Sequence, residues 1–268
     1  MKGYEVANLV KCASCSFVFS GREVTEHELT TFYQGYPRNT PLSFVTRGRY
    51  LNLCASFEKY RKYGNLLDVG CGDGHFLSIA REMGWNVYGT EYTDEAVAVG
   101  EAKGIAMRKG RLSKVSFDPE FFDVITSFEV IEHIDNPDEE VKSMFALLRG
   151  GGCCYLTTPN FNSLSRYLLR SGWNVIGYPE HLCYFTQGTL TRFFQRSGFR
   201  LESLATTGVS LDRFRLAGKG VVSSVGMDES FRQHAERMGV LNLAKRSGNF
   251  LLNLFRAGDT LKATFEKP

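Results

Sequence analysis

The 268-residue sequence has no long apolar run, no large surplus of one charge and no internal repeat. No uninterrupted apolar stretch approaches the ~20 residues that cross a bilayer, so a spanning helix is not expected. The first residues, Met1-Lys-Gly-Tyr-Glu-Val6, contain no apolar core of a secretion signal. The net charge is only +3. Lysine and arginine are scattered, with weak clusters at Arg47–Arg49, Lys59–Lys62 and Arg192–Arg200. A nucleic-acid binder gathers such residues on one face, so these read as solvated surface and nucleic acid is not an expected partner. A second cysteine pair is missing too: Cys12-x-x-Cys15 supplies two of the four ligands a structural zinc needs. The seven cysteines are an odd number in a chain too large to need disulfide staples. They read as reduced thiols of a cytosolic protein.

What is present is an ordinary globular balance, 43% hydrophobic and 23% charged. Residues 1–43 read as an N-terminal appendage: short strands at Val6–Val10 and Ser16–Phe19 flank the cysteines, and a helix starts near Thr25. Residues 44–62 read as helix, with Tyr50, Leu53, Cys54 and Phe57 on one face. From Asn65 onward strand and helix alternate. Strands are expected at Leu66–Val69, Asn86–Glu91, Ile105–Arg108, Asp123–Phe128, Cys153–Thr157, Phe199–Ala205 and Thr260–Phe265. Thr93, Asn136-Pro137 and Thr186 open helices, and Gly150–Gly152 are expected to stop one. Residues 212–257 read as a mostly helical insertion within a domain running from 44 to 268. The pattern is that of an α/β, Rossmann-like, doubly wound sheet of seven strands, mostly parallel, with helices on both faces and an antiparallel last strand.

The segment Leu66-Leu-Asp-Val-Gly-Cys-Gly-Asp-Gly-His75 carries the most information. A strand runs into Gly70-x-Gly72-x-Gly74, and a helix follows at once. Glycines permit the sharp turn and let a ligand approach the backbone. A bare glycine turn without a ligand would read the same way, but two carboxylates argue against it. Asp68 ends an apolar strand, a costly place for a charge without a partner. Glu91 ends the next strand, where a carboxylate can accept both hydroxyls of a ribose. Dinucleotide folds favour G-x-G-x-x-G, with a pyrophosphate on the helix N-terminus. Here the third glycine comes one residue early, and Asp68 would repel a pyrophosphate. It suits an ammonium group. S-adenosylmethionine (SAM) offers an amino group, a ribose and an adenine, and no phosphate.

This segment resembles motif I of the class I SAM-dependent methyltransferases. The resemblance extends through Gly89-Thr-Glu91-Tyr-Thr-Asp-Glu-Ala-Val97, Phe122-Asp-Val-Ile-Thr-Ser-Phe-Glu-Val-Ile-Glu-His133, Leu147-Leu-Arg-Gly-Gly-Gly152 and Leu156-Thr-Thr-Pro-Asn160. Glu180-His-Leu-Cys-Tyr-Phe-Thr186 and Gly258-Asp-Thr-Leu261 are similar to a bacterial group of the type 23/11 kind, in which Cys12 and Cys15 would be the remnant of a zinc ribbon. The resemblance implies that Gly70, Cys71, Gly72 and Gly74 form the cofactor loop, with Gly70 and Gly72 facing the methionine end of SAM. Asp68 would organise the amino group, Glu91 would hold the ribose and Tyr92 would flank the adenine. Arg111 and Leu112 would lie beside the adenine ring, and Phe128 and Glu129 would close the methionine end. The loop Lys109-Gly-Arg-Leu-Ser lacks the acid often found near the adenine amino group.

A second constellation is Glu129-x-x-Glu132-His133 with the distant His181. Two readings stay open. In one, Glu132 and His133 line the pocket and His133 acts as general base. In the other, Glu129, Glu132, His133 and His181 hold a divalent cation. The latter arrangement resembles the metal site of small-RNA 3′-end 2′-O-methyltransferases. The expected acceptor is a small molecule or saccharide precursor, and the rival roles are RNA-end methylation or non-catalytic SAM binding. Trp173, Tyr178, Tyr184 and Phe185 read equally as a lid or as core.

Overall fold

The computed structural model describes residues 1, 4, 8–25, 28, 29, 32, 41–208 and 252–268. Of the helix expected near Thr25 only Glu28, Leu29 and Phe32 are described, all three helical, and most of the 212–257 insertion lies outside the described residues. Ten strands are described: β1 (Leu9–Lys11), β2 (Val18–Ser20), β3 (Asn65–Val69), β4 (Asn86–Glu91), β5 (Ala106–Lys109), β6 (Phe122–Phe128), β7 (Leu148–Pro159), β8 (Cys183–Tyr184), β9 (Arg200–Thr207) and β10 (Thr260–Glu266). The helices are α1 (Phe44–Phe57), α2 (His75–Glu82), α3 (Asp94–Ala102), α4 (Pro137–Leu147), α5 (Leu164–Leu169) and α6 (Gln187–Arg196).

Seven strands form one sheet in the order β5-β4-β3-β6-β7-β10-β9. β3 pairs in parallel with β4 and β6, and β10 runs antiparallel to both of its neighbours. Side chains along the central strands alternate between two cores, as the period of two requires. Leu66, Val124 and Cys153 pack with Phe57 of α1 and Phe76 and Ile79 of α2. Leu67, Ile125 and Cys154 pack on the other face with Val141 and Met144 of α4 and Phe194 of α6. The expected Rossmann-like architecture is therefore present.

Local sequence explains the helix starts. Thr93 accepts a hydrogen bond from the Ala96 N–H, Asn136 from Glu139, and Thr186 forms a capping box with Thr189. Gly150–Gly152 do not end a helix, contrary to expectation. α4 stops at Leu147, and these glycines lie inside β7, where the pairing with β6 shifts register between Phe122 and Val124. A Cβ at Gly152 would meet the Asp123 carbonyl oxygen at 2.8 Å, so a bulge fits here only with glycine.

The N-terminal hairpin β1–β2 is built onto the main body through β8. Phe17 joins the core beside Phe185 and Phe193. Trp173, Tyr184 and Phe185 are buried, so for these three the core reading holds over the lid. The Tyr178 hydroxyl instead reaches the Glu23 carbonyl and the Glu28 carboxylate.

Asp123 anchors the amino-terminal edge of the sheet. Its Oδ2 accepts the N–H groups of Lys62, Tyr63 and Gly64 at 3.0, 2.8 and 2.6 Å, and its Oδ1 accepts Arg149 Nε at 2.5 Å. Burial alone would raise its pKa, but Arg149 and the three amides outweigh that and hold the carboxyl below its ordinary value. Asp123→Ala would strand Arg149 and three amides, at a cost of about 3–5 kcal/mol by analogy with broken buried pairs. Urea unfolding at pH 7 checks this, and a loss under about 1 kcal/mol would show that the clamp is replaceable.

Candidate active site

The chain order reverses at β3 and β6, and both strands end at the same edge of the sheet. In open α/β sheets ligands bind outside the carboxyl ends at such a point. Asp68 of β3 and Thr126 of β6 face each other in register, and the Thr126 hydroxyl donates to Asp68 Oδ1 at 2.7 Å. Asp68 is 2% exposed. Burial, only partly relieved by Thr126, together with the nearby Glu91 raises its pKa to about 7.

The three glycines after β3 all have positive φ but do different work. A Cβ at Gly70 would strike Val130 Cγ2 at 2.7 Å, and one at Gly74 would strike Ile105 Cδ1 at 2.5 Å. At Gly72 nothing lies within 4 Å. Gly70 and Gly74 thus serve close packing, while Gly72 exposes backbone to open space. Glu91 stands across from it. Its Oε1 accepts the Gly72 N–H at 2.6 Å and its Oε2 accepts the Tyr92 N–H at 2.9 Å. Cys71 turns its thiol toward Met107 Sδ at 3.8 Å, so its side chain belongs to the packing beneath the loop.

On the adenine side expected from sequence, Leu112 is 2% exposed and sits in the core. Its side chain offers little surface, and the backbone of the loop is what remains for a ligand. Arg111 forms an ion pair with Asp135. Glu140, in the first turn of α4, is 2% exposed beneath this loop and accepts hydrogen bonds from the backbone of Ser113 and Leu112. Desolvation still raises its pKa to about 7.

Phe128 packs among Phe76, Tyr155 and Tyr50, at ring-centroid distances of 5.0, 5.8 and 5.9 Å. Tyr50 and Tyr155 were not among the expected site residues. The helical periodicity around Tyr50 marked an inward face without saying what that face would meet.

Past β6, Glu129 has φ +53° and is exposed, whereas Glu132 is buried. They do not share a helical face, because the turn that begins at Ile131 is a 3-10 turn preceded by that left-handed residue. The ligand atoms of Glu132, His133 and His181 gather within 4.8 Å of one another, and Glu129 is not part of that group. The two imidazoles lie 4.7 Å apart, centroid to centroid. His133 Nδ1 donates to the Glu180 carbonyl at 2.6 Å, and His181 Nδ1 donates to the Val175 carbonyl. Glu132 Oε2 accepts the Thr158 hydroxyl at 2.9 Å, while Oε1 is buried with no hydrogen bond. Burial first, and Glu129 second, push the Glu132 pKa well up. Burial and His181 push that of His133 down to about 3. Thr158, Glu180 and His181 lie 26 to 49 residues from Glu132 along the chain, a convergence no local spacing announces.

Comparison with known proteins agrees with this architecture. Residues 46–204 match the methyltransferase-domain family. A probable S-adenosylmethionine-dependent methyltransferase of Mycolicibacterium smegmatis is 29% identical over 147 residues, 54% of this chain and 54% of its own length. A ubiquinone biosynthesis O-methyltransferase of Cupriavidus pinatubonensis is 25% identical over 152 residues, 52% of this chain and 61% of its own. The match therefore spans between about half and two thirds of these relatives. The crystal structure of a SAM-dependent methyltransferase from Archaeoglobus fulgidus has the same fold, with TM-score 0.56 at 18% identity, covering 91% of this chain and all of that one. With its glycine loop, its strand order and a match over more than half its length, the chain belongs to the methyltransferase-domain family, in the Rossmann-like, class I SAM-dependent superfamily.

Proposed function

We propose that the protein binds SAM at the glycine loop and transfers its methyl group to an acceptor seated beside His133. The observation that carries this is the open face of Gly72 opposite the Glu91 carboxylate, beside a buried Asp68 that is short of donors. The donor set fits the cofactor. Asp68 suits an ammonium, Glu91 has lone pairs left for ribose hydroxyls, and nothing in the loop is built for phosphate. Tyr92, Arg111 and the backbone at Leu112 would flank the adenine, with Phe128 and Glu129 at the methionine end.

SAM supplies an electrophilic methyl group on a sulfonium. The acceptor is a small molecule or saccharide precursor, and the relatives named as O-methyltransferases favour an oxygen nucleophile. His133 takes the acceptor's proton at Nε2, since its Nδ1–H is committed to Glu180. A pKa of about 3 makes it a weak base. That suffices here, because an alcohol oxygen turns strongly acidic as the new C–O bond forms. Positioning and desolvation supply the rest of the rate.

One observation favours a second reading of the same pocket. The orphan Glu132 Oε1 and two imidazoles within 4.8 Å form a donor set suited to a divalent cation. Nδ1–H bonds to carbonyls are the usual way such ligands are oriented. Glu132, His133 and His181 would hold the cation, which would lower the pKa of a bound hydroxyl.

Three outcomes are expected. Glu91→Ala should weaken binding of S-adenosylhomocysteine tenfold or more in calorimetry, since each charge-assisted bond is worth ~1.5–3 kcal/mol. Unchanged affinity would remove Glu91 from the ribose. The second concerns pH. Asp68 has a raised pKa when free and must be ionised beside an ammonium, so binding is full above pH 7 and is lost as pH falls. Affinity should drop about tenfold per pH unit well below 7. Asp68→Asn should bind more weakly with a flat profile, and a flat profile in the parent protein would refute the pairing. The third separates the two readings of His133. If it works as base without metal, turnover survives EDTA. Loss on chelation, restored by Mg²⁺ or Mn²⁺, would establish the cation instead.

A further inference from the structure

Two segments with exposed apolar side chains meet beside the carboxyl edge of the sheet. α5 begins four residues after β7 reaches the carboxyl edge and presents Leu164, Tyr167 and Leu168 at i, i+3 and i+4, with 43, 61 and 62% of their surface exposed. Next to it stand Leu254 and Phe255, 63 and 74% exposed. The two segments are held together. The Leu164 N–H donates to the Ala257 carbonyl at 2.9 Å, Asn160 Nδ2 donates to the carbonyls of Arg256 and Gly258, and the Ser165 hydroxyl donates to the buried Asp259.

Five large apolar side chains this exposed in one place mark an interaction surface rather than scatter. Among the described residues, the charged side chains that these two segments carry are of one sign. Arg170 and Arg256 are exposed at its rim, and Arg166 lies over the rings of Phe161 and Tyr167 at 4.3 and 4.5 Å. No acidic residue occurs between Phe161 and Pro179 or between Leu252 and Gly258. Apolar side chains with an amphipathic tyrosine and a purely basic rim suit the boundary between acyl chains and anionic headgroups. A protein partner of mixed charge would leave that rim unmatched.

We infer that this surface, made by α5 and residues 254–256, docks the protein peripherally on an anionic lipid bilayer. The docking needs no spanning helix, and among the described residues none is long and apolar enough to be one. The carboxyl edge of the sheet, from which α5 springs, then faces the bilayer.

The test is co-sedimentation of the full chain with phosphatidylcholine vesicles carrying 30% phosphatidylglycerol, and with pure phosphatidylcholine. Binding to the anionic vesicles should exceed that to the neutral ones at least tenfold and fall as salt rises. Leu168→Asp and Arg170→Glu should each cut it several-fold, while circular dichroism and S-adenosylhomocysteine affinity stay as in the parent. That last readout keeps this inference separable from the cofactor reading. Failure to sediment with anionic vesicles overturns it, as does equal binding by the variants. A dimer in light scattering that Leu168→Asp dissolves, without vesicle binding, would assign the face to a second copy and equally overturn it.

Discussion

A carboxylate taken out of water must receive hydrogen-bond donors, a counter-charge or a proton. Among the described residues six are buried, and four of these, Asp68, Asp123, Glu132 and Glu140, meet that demand in different ways. Asp123 has three amides and a guanidinium, and its pKa falls below the ordinary value. Asp68 has one hydroxyl, Glu132 has one hydroxyl and a bare oxygen, and both pKa values rise. The contrast follows position in the sheet. Asp123 opens β6 at the amino edge, where its work is to hold the chain together. Asp68 closes β3 and Glu132 follows β6, at the edge where ligands of this architecture bind. Deficits of donors at that edge are what a cationic or hydrogen-bonding ligand would relieve. Glu140 is intermediate: it orders the loop at Leu112 and Ser113, yet two amides do not fully replace water.

The same physical split explains what could be read from the sequence. Elements fixed by local rules were legible. The alternation of Leu66 with Leu67 and of Val124 with Ile125, the caps at Thr93, Asn136 and Thr186, and the strand–glycine–helix unit at 66–75 all depend on neighbours in the chain. Gly150–Gly152 were misread because a glycine run has two meanings, helix end and strand bulge. Only the pairing of β7 with β6 and with the C-terminal segment selects the second. Cys71 and Leu112 were placed correctly along the chain, but their side chains turn into the core, a direction that periodicity does not give for loop residues. The Glu132–His133–His181 group depends on a long connection folding back across the carboxyl edge. Its members were nameable as candidates, but their meeting was not derivable.

Family membership and site chemistry rest on different supports. The sheet order and glycine loop place the chain among SAM-dependent methyltransferases, and one fold of this kind accommodates many acceptors. The segment from Asn160 to Phe185, inside the matched region, and the hairpin β1–β2, whose β2 pairs with β8, frame one side of the pocket. Phe161, Trp173, Val175 and Tyr184 pack with Leu9 and Val18 into a third, smaller core beside the carboxyl edge. This core holds Val175, whose carbonyl orients His181, and Tyr184, whose hydroxyl donates to the His181 carbonyl at 3.1 Å.

The N-terminal hairpin therefore bears on the site through packing rather than through its cysteines. β2 pairs with β8, and the Ser20 N–H donates to the Leu182 carbonyl at 2.7 Å, one residue from His181. Leu182 in turn donates its N–H to the Glu132 carbonyl at 2.8 Å. A hydrogen-bonded path thus runs from the hairpin to both ends of the carboxylate–imidazole group. Packed interiors deform little, and this group is held by backbone on two sides. That packing keeps the Glu132 oxygen that lacks a hydrogen bond beside the two imidazoles, with His133 Nε2 3.8 Å from it.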